Sequence, residues 1–100
     1  DLRSKCAERQ KGFGFDPSNL FLATELGGEA GEALNIIKKL ERERLGGRGS
    51  RSSVTELADE LGDVVICVEN IAYRYGIDLE EAIRNKFNKT SDKIGSGVKL

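Results

Sequence analysis

The sequence has no histidine, no methionine and no tryptophan, and it contains two cysteines and one proline among its 100 residues. Without histidine, the chain lacks the commonest general base and cannot build several familiar kinds of zinc site. Cys6 and Cys67 lie far apart and follow no metal-ligand spacing. We expect two reduced thiols rather than a disulfide, as is usual for cytoplasmic proteins.

Long apolar runs and a strong net charge are also missing. The longest apolar run, 64–68, is far too short to span a bilayer, and the first residues show no signal-peptide pattern. The net charge of −1 provides no general attraction to nucleic acid or to an anionic membrane surface. We therefore expect a cytoplasmic protein that binds neither a membrane nor a nucleic acid.

The sequence does contain helical periodicity, without strand-like alternation of useful length. We predict four helices, over residues 2–12, 19–44, 54–75 and 79–90. Ser18 or Asn19 can cap the second helix, Ser53 can cap the third and Asp78 the fourth. Because the two long helices are joined by a short glycine-rich loop over 45–53, we expect them to pack antiparallel. The predicted fold class is an all-α bundle of about four helices.

Acidic residues repeat at helical spacing on both long helices. Each helix carries three carboxylates at positions i, i+4 and i+7, and these are Glu25, Glu29 and Glu32, followed by Glu56, Glu60 and Asp63. No lysine or arginine lies three or four residues from any of them. Like charges at this spacing repel on an exposed helix. Each acidic row borders the apolar stripe of its helix, which places it near the surface where the helices meet.

The row spacing is compatible with two interpretations. On either helix alone, a solvated acidic face is the simpler one. The two apolar stripes need burial, however, and two acidic rows that face each other would be untenable without cations. Hard divalent cations prefer oxygen ligands, so without histidine we expect Mg²⁺, with Mn²⁺ as a possible substitute.

Two other features are ambiguous in the same way. Gly28 and Gly31 lie beside the acidic row, where a bare helix surface could admit either a neighbouring helix or a hydrated metal and phosphate. Phe13, Phe15 and Phe21 lie near the start of the second helix and could stack on a nucleobase, although a role in the core is favoured.

Two segments of the chain together resemble a known family. GEAGEALNIIKKL followed by ADELGDVVICVENIA resembles the MazG-like, all-α nucleoside triphosphate pyrophosphohydrolases, whose signature is EExxE, a spacer and ExxD. The matching residues are Glu29 and Glu32 in EAGE, and Glu60 and Asp63 in ELGD. KFNKTSDKIG also resembles a segment that follows in many members. The similarity covers roughly residues 19–95.

The resemblance implies a single domain over residues 1–100, with an N-terminal helix and loop (1–18), a catalytic core (19–95) and a loose tail (96–100). It implies Mg²⁺-dependent cleavage of nucleoside or deoxynucleoside triphosphates to the monophosphate and pyrophosphate, which would serve to clean the nucleotide pool. The metal ligands carried over are Glu29, Glu32, Glu60 and Asp63. Glu29 is our first choice as the catalytic base.

The same resemblance implies phosphate contacts from Lys86, Asn88 and Lys93 and a homodimer or homotetramer that completes the metal site. One position departs from the signature, because Gly28 stands where the fuller motif has its first glutamate. That departure keeps a second hypothesis open, namely a catalytically weak or inactive helical module that binds metal or nucleotide as a regulator.

Overall fold

The computed structural model describes residues 1–47 and 52–100, and within them all the regular secondary structure is helical. The four helices are α1 (Leu2–Lys11), α2 (Asn19–Arg44), α3 (Val54–Arg74) and α4 (Leu79–Ile94). The predicted all-α class is therefore confirmed. The predicted loop over 45–53 includes residues 48–51, which lie outside the described residues.

Side-chain caps fix the beginnings of the three longer helices. The Ser18 hydroxyl accepts a hydrogen bond from the Phe21 amide, so Ser18 rather than Asn19 caps α2. Ser53 caps α3 in the same way, and the Asp78 carboxylate caps α4. These caps satisfy amide groups that have no partner inside the helix, which explains why each helix begins where the sequence predicts.

Three of the four helices end within one residue of their predicted ends, and α4 is the exception. We predicted that α4 ends at residue 90, but it continues to Ile94. Gly95 then adopts a left-handed conformation, with φ of 74°. Because glycine reaches this conformation without a steric penalty, it is a favourable place for the helix to stop.

The fold is built around α3, which packs against α2 on one side and against α1 on the other. The buried apolar residues are mostly small, and they are Cys6, Leu22, Ala33, Ile36, Cys67 and Ala72. Both cysteines are free, as expected. The radius of gyration is 16.9 Å, whereas a compact 100-residue domain has roughly 13 Å. The single chain is thus an open structure with a thin core.

The opened-out shape leaves much of the predicted packing surface uncovered. Ile37 on α2 and Leu61 on α3 belong to the predicted apolar stripes, yet they are 45% and 48% exposed. The fourth helix makes no packing contact with another helix comparable to those of α3 in the described chain. Its apolar residues Ile83, Phe87 and Ile94 are all exposed. The periodicity identified apolar faces correctly, but this chain alone does not bury all of them.

The segment after α4 folds back along that helix. We had expected a loose tail over 96–100. The Leu100 amide donates to the Asn88 side-chain oxygen at 2.7 Å, and the Asn88 amide nitrogen donates to the Leu100 carbonyl at 3.1 Å. Lys99 forms an ion pair with Asp92. These contacts hold Lys99 and Leu100 against α4.

Within the two described ranges, no helix is both long enough and apolar enough to cross a membrane.

Candidate metal centre

The acidic rows of α2 and α3 face each other across the interface of these two helices. The carboxyl groups of Glu29 and Glu32 raise the pKa of Glu60, whereas those of Glu25 and Glu29, one turn earlier on α2, raise the pKa of Cys67, which lies later on α3. Rising residue numbers on one helix are therefore matched by falling numbers on the other, so the helices run antiparallel. This pairing brings the two ExxE/D segments to the same level of the bundle.

Three carboxylates converge at that level. One oxygen each from Glu29, Glu60 and Asp63 lies within 4.8 Å of the other two. Glu29 and Glu60 are half-buried, whereas Asp63 is exposed, so the group opens to solvent on one side. A divalent cation with oxygen ligands binds at 2.0–2.6 Å from each oxygen. Oxygens at this separation can therefore surround one cation after small side-chain rotations.

Burial leaves two oxygen atoms of this group without partners. The Oε2 atoms of Glu29 and Glu60 are inaccessible to solvent, and neither has a hydrogen-bond partner. A buried carboxylate oxygen without a donor is costly, because it has lost its water and gained nothing in return. A bound cation would supply the missing partner. The residues present therefore fit a hard divalent metal such as Mg²⁺.

The carboxyl groups of this site lie so close together that their negative charges repel, and this repulsion contributes to the raised pKa of Glu29 and of Glu60. Burial and, to a smaller extent, the neighbouring carboxyl groups of Glu32 and Glu29 together raise the pKa of Glu60 from its ordinary value of 4.5 to about 7. The adjacent Glu60 carboxyl by itself lowers the pKa of Glu29. Burial and the charges of Glu32 and Asp63 outweigh that effect, so the pKa of Glu29 is raised overall.

Of the four metal ligands implied by the sequence, Glu32 is the one outside the closest group. Its side chain is exposed, but its carboxyl group raises the pKa of both Glu29 and Glu60. All four predicted ligands thus lie around one site. Glu25 does not join the group of three.

The glycines beside the site leave open space. A Cβ atom added at Gly28 or at Gly31 would meet nothing within 4 Å. Among the residues that the structure describes, a close approach of another helix is therefore not the reason for either glycine. The space next to Glu29 and Glu32 remains available for hydrated ions or phosphate groups.

The predicted phosphate-binding residues are in a different situation. Lys86, Asn88 and Lys93 lie on α4, which does not pack on the α2–α3 pair in the way that α1 packs on α3. The side chain of Asn88 is already engaged with the backbone of Leu100. One chain therefore gathers the predicted acidic residues and does not bring the predicted basic ones to them.

Comparison with known proteins agrees with the acidic geometry. Residues 17–94 match the family model of the MazG nucleotide pyrophosphohydrolase domain. The chain belongs to the MazG family. The MazG match includes all of α2, α3 and α4, and therefore both the converging carboxylates and the basic helix. Neither the curated proteins nor the solved structures yielded a match to this MazG chain.

Two features of the MazG chain were missed or misjudged from sequence. Phe15 is 54% exposed, so the favoured core role is wrong for that residue. Glu69 on α3 is buried, and its Oε1 atom has no hydrogen-bond partner. Glu69 lies outside both acidic rows, and no regular spacing singles it out. It lines a cavity of about 340 Å³ together with residues from the starts of α1 and α4.

Proposed function

We propose that this MazG domain hydrolyses nucleoside triphosphates, or their deoxy forms, to the monophosphate and pyrophosphate, and that it requires Mg²⁺. One observation carries the proposal. Glu29, Glu60 and Asp63 offer oxygens within 4.8 Å of one another, and two of these residues have a buried oxygen without a partner. A polyphosphate with its accompanying cations is the ligand class that this acidic site favours most.

The residues of the site suit an attack by water on the α-phosphorus. When bound, Mg²⁺ neutralises charge on the phosphate oxygens and acts as a Lewis acid. Glu29 accepts the proton of the attacking water, because its pKa is raised toward the neutral range where a general base works best. A bond forms between the water oxygen and the α-phosphorus, and the bond to the bridging oxygen breaks. Pyrophosphate leaves with that oxygen.

Phosphate recognition is assigned to α4 in an assembly. Lys86 and Lys93 provide positive charge for the outer phosphate oxygens, and Asn88 completes the set. The apolar face of α4 is exposed in the single chain, at Ile83, Phe87 and Ile94. Burial of this face in a homodimer or homotetramer would place α4 of one copy near the carboxylates of another. We assign the whole a role in cleaning the nucleotide pool of the cytoplasm.

A second candidate function follows from Gly28. The fuller MazG signature has a carboxylate where this chain has a glycine, so the site has one fewer potential ligand. A site with weaker metal binding would suit a regulatory module that binds metal or nucleotide and turns it over slowly or not at all.

Pyrophosphate release from a panel of nucleoside and deoxynucleoside triphosphates separates these candidates. We expect release with Mg²⁺ and none after chelation with EDTA. Binding of nucleotide and Mg²⁺ without release would favour the regulatory module. No release and no binding at about 10 mM Mg²⁺, a concentration ample for a specific site, would refute the metal site itself.

A further inference from the structure

Three phenylalanines form an open aromatic cluster at the entrance to α2. The rings of Phe13 and Phe15 are stacked, with centroids 5.8 Å apart, and the rings of Phe15 and Phe21 meet edge to face at 5.1 Å. Phe15 is 54% exposed and Phe21 is 40% exposed. Together with Glu25 they line a cleft of about 200 Å³. Water therefore reaches aromatic surface that a hydrophobic core would cover.

The loop that carries Phe13 and Phe15 is fixed where it leads into α2. Its Asp16 carboxylate accepts a hydrogen bond from Arg74 of α3 at 2.7 Å, and Pro17 is buried. Immediately afterwards, Ser18 caps α2. The exposed rings thus belong to a well-positioned segment, which is the property that a binding surface needs if it is to avoid a large entropic cost on binding.

The cleft adjoins the acidic site along one face of α2. Phe21, Glu25 and Glu29 follow one another at intervals of four residues, so they lie in a row along the helix. One such interval advances about 6 Å along the axis. Glu25 therefore lies between the aromatic rings and the carboxylate cluster.

We propose that this cleft binds the base of the nucleotide substrate, and that Glu25 selects bases which donate hydrogen bonds, guanine above all. The inference rests on the proposed hydrolysis for its substrate. The phenylalanine rings supply stacking surface that every base can use. Guanine presents two adjacent donors, the ring N1–H and the exocyclic amine, and a carboxylate can accept both at once.

Uracil and thymine are the bases that this cleft rejects. Each has a single ring N–H, flanked by two carbonyl oxygens. A carboxylate that approaches the N–H also approaches those oxygens, and like partial charges repel. In guanine the ring N–H has a carbonyl oxygen on one side only, and the exocyclic amine, a second donor, lies on the other side. The expected selectivity is therefore guanine over uracil, and its origin is the charge of Glu25.

The competing occupant of the cleft is a second copy of the chain, which could cover the aromatic rings. The presence of Glu25 in the wall argues against it. Charged residues are depleted in the cores of protein interfaces, where a carboxylate would lose its water. A nucleotide base with two N–H donors satisfies the same carboxylate directly. The base is thus the better match to both walls of the cleft.

The test compares hydrolysis of guanosine and uridine triphosphates, ribo and deoxy, by the wild-type protein and by Glu25→Gln. We expect kcat/KM to favour guanine by about tenfold in the wild type, because one exposed carboxylate makes the distinction. In Glu25→Gln the preference falls to within about threefold, since an amide offers a donor as well as an acceptor. Glu8→Gln is the matched control, because Glu8 is exposed on α1, and this variant retains the tenfold preference.

A second measurement is independent of hydrolysis and of any metal. Binding of guanosine and of uridine, both without phosphate, is measured by ligand-detected NMR in EDTA. Guanosine binds more tightly to the wild type, and Phe21→Leu weakens it about tenfold through the loss of stacking.

Equal kcat/KM for the two bases, or a preference for uracil, overturns the inference and leaves the proposed hydrolysis standing. Equal binding of the two nucleosides overturns it as well, as would be expected if a second copy covered the cleft. Should guanosine bind through Glu25 while no triphosphate is cleaved, the base site stands and the proposed hydrolysis fails.

Discussion

The α2–α3 pair and α4 both lie in the region that matches the MazG family, but they differ in how far their candidate site residues are brought together within one chain. In the pair, side chains from two helices converge, and the oxygens of Glu29, Glu60 and Asp63 lie within 4.8 Å of one another. In α4 the basic residues lie on a helix that has little packing against the rest of the described chain. The acidic half of the candidate site is thus assembled within one copy, and the basic half is not.

This difference separates the part of the site that depends on packing within one chain from the part that we propose depends on assembly. Glu29 and Glu60 have buried oxygens that only a neighbouring group can satisfy, so their geometry is set by helix packing. On α4, by contrast, apolar side chains such as Phe87 are exposed, and we proposed above that a second copy covers them. We therefore expect changes in the α2–α3 pair to act on metal binding and chemistry, and changes in α4 to act through assembly and phosphate contacts.

The largest expected effect is on activity, when one member of the carboxylate cluster is neutralised. Glu60→Gln should reduce pyrophosphate release by about 100-fold or more, because partners that merely orient metal ligands already contribute about 10- to 100-fold. Lys86→Ala on α4 should reduce it by about tenfold, as expected for the loss of one charge-assisted hydrogen bond. Initial rates with saturating Mg²⁺ measure both.

The matched control for the first variant is Asp59→Asn, which removes an exposed carboxylate next to Glu60 in sequence. It should retain nearly full activity. Equal losses in Glu60→Gln and Asp59→Asn would mean that general negative charge, and not the cluster, supports the reaction.

The next largest effect is on assembly. Phe87→Asp places a charge in the exposed apolar face of α4 and should convert the oligomer to monomer, because a buried charge without a partner is unfavourable. Sedimentation velocity measures the change. Asn85→Asp introduces the same charge nearby on α4 and should leave the oligomer intact. A wild-type protein that already sediments as a monomer would refute the assembly.

A smaller effect is expected on stability as a function of pH. The pKa of Glu60 is about 7 in the folded protein, above its ordinary value of 4.5, so between these values the folded state holds a proton that the unfolded state releases. The stability that this proton provides is fully present below about pH 4.5 and is lost as the pH rises through 7. In EDTA, the melting temperature should fall between pH 5 and pH 8.

Glu60→Gln removes this source of pH dependence and should flatten the fall. Glu41→Gln should not, because Arg44 lowers the pKa of Glu41 and that group titrates below the range. A melting temperature that rises with pH equally in wild type and Glu60→Gln would contradict the crowding of the carboxylates.

The smallest effect concerns the open space beside the cluster. Gly28→Ala should stabilise the protein by about 0.5–1 kcal/mol, because alanine is the better helix former and its Cβ meets nothing within 4 Å. Gly95→Ala should instead destabilise it by about 1 kcal/mol, since Gly95 is left-handed. Urea denaturation measures both. Destabilisation by Gly28→Ala would mean that another chain or group occupies that space.

Much of the fold follows from local sequence signals. Caps at Ser18, Ser53 and Asp78 mark the helix starts, because each provides an acceptor for an otherwise unpaired amide. The end of α4 was less predictable, since Thr90 and Ser91 look like a helix end while the left-handed Gly95 provides the actual one. The exposure of Leu61 was not predictable, because a periodic stripe does not specify which partner covers it.

The acidic part of the site was also accessible from sequence, and other parts were not. Equal spacing on two antiparallel helices is enough to bring Glu29 and Glu60 together. The exposure of Phe15 depends on the path of a loop, and the burial of Glu69 depends on how the starts of α1 and α4 lie against α3. Lys86 lies on α4, which has little packing against the α2–α3 pair in the described chain, and no pattern within the sequence defines how far it lies from the carboxylates.

The most direct test of the account is Mn²⁺ binding at pH 8, measured by electron paramagnetic resonance in a buffer that contains no other divalent metal. Mn²⁺ reports on the same oxygen-ligand site as Mg²⁺. We predict saturable binding by the wild type, loss of that binding in Glu60→Gln, and unchanged binding in Lys86→Ala. Wild-type protein that binds no Mn²⁺, or Glu60→Gln that binds it as the wild type does, would contradict the assignment of the metal centre to the α2–α3 pair.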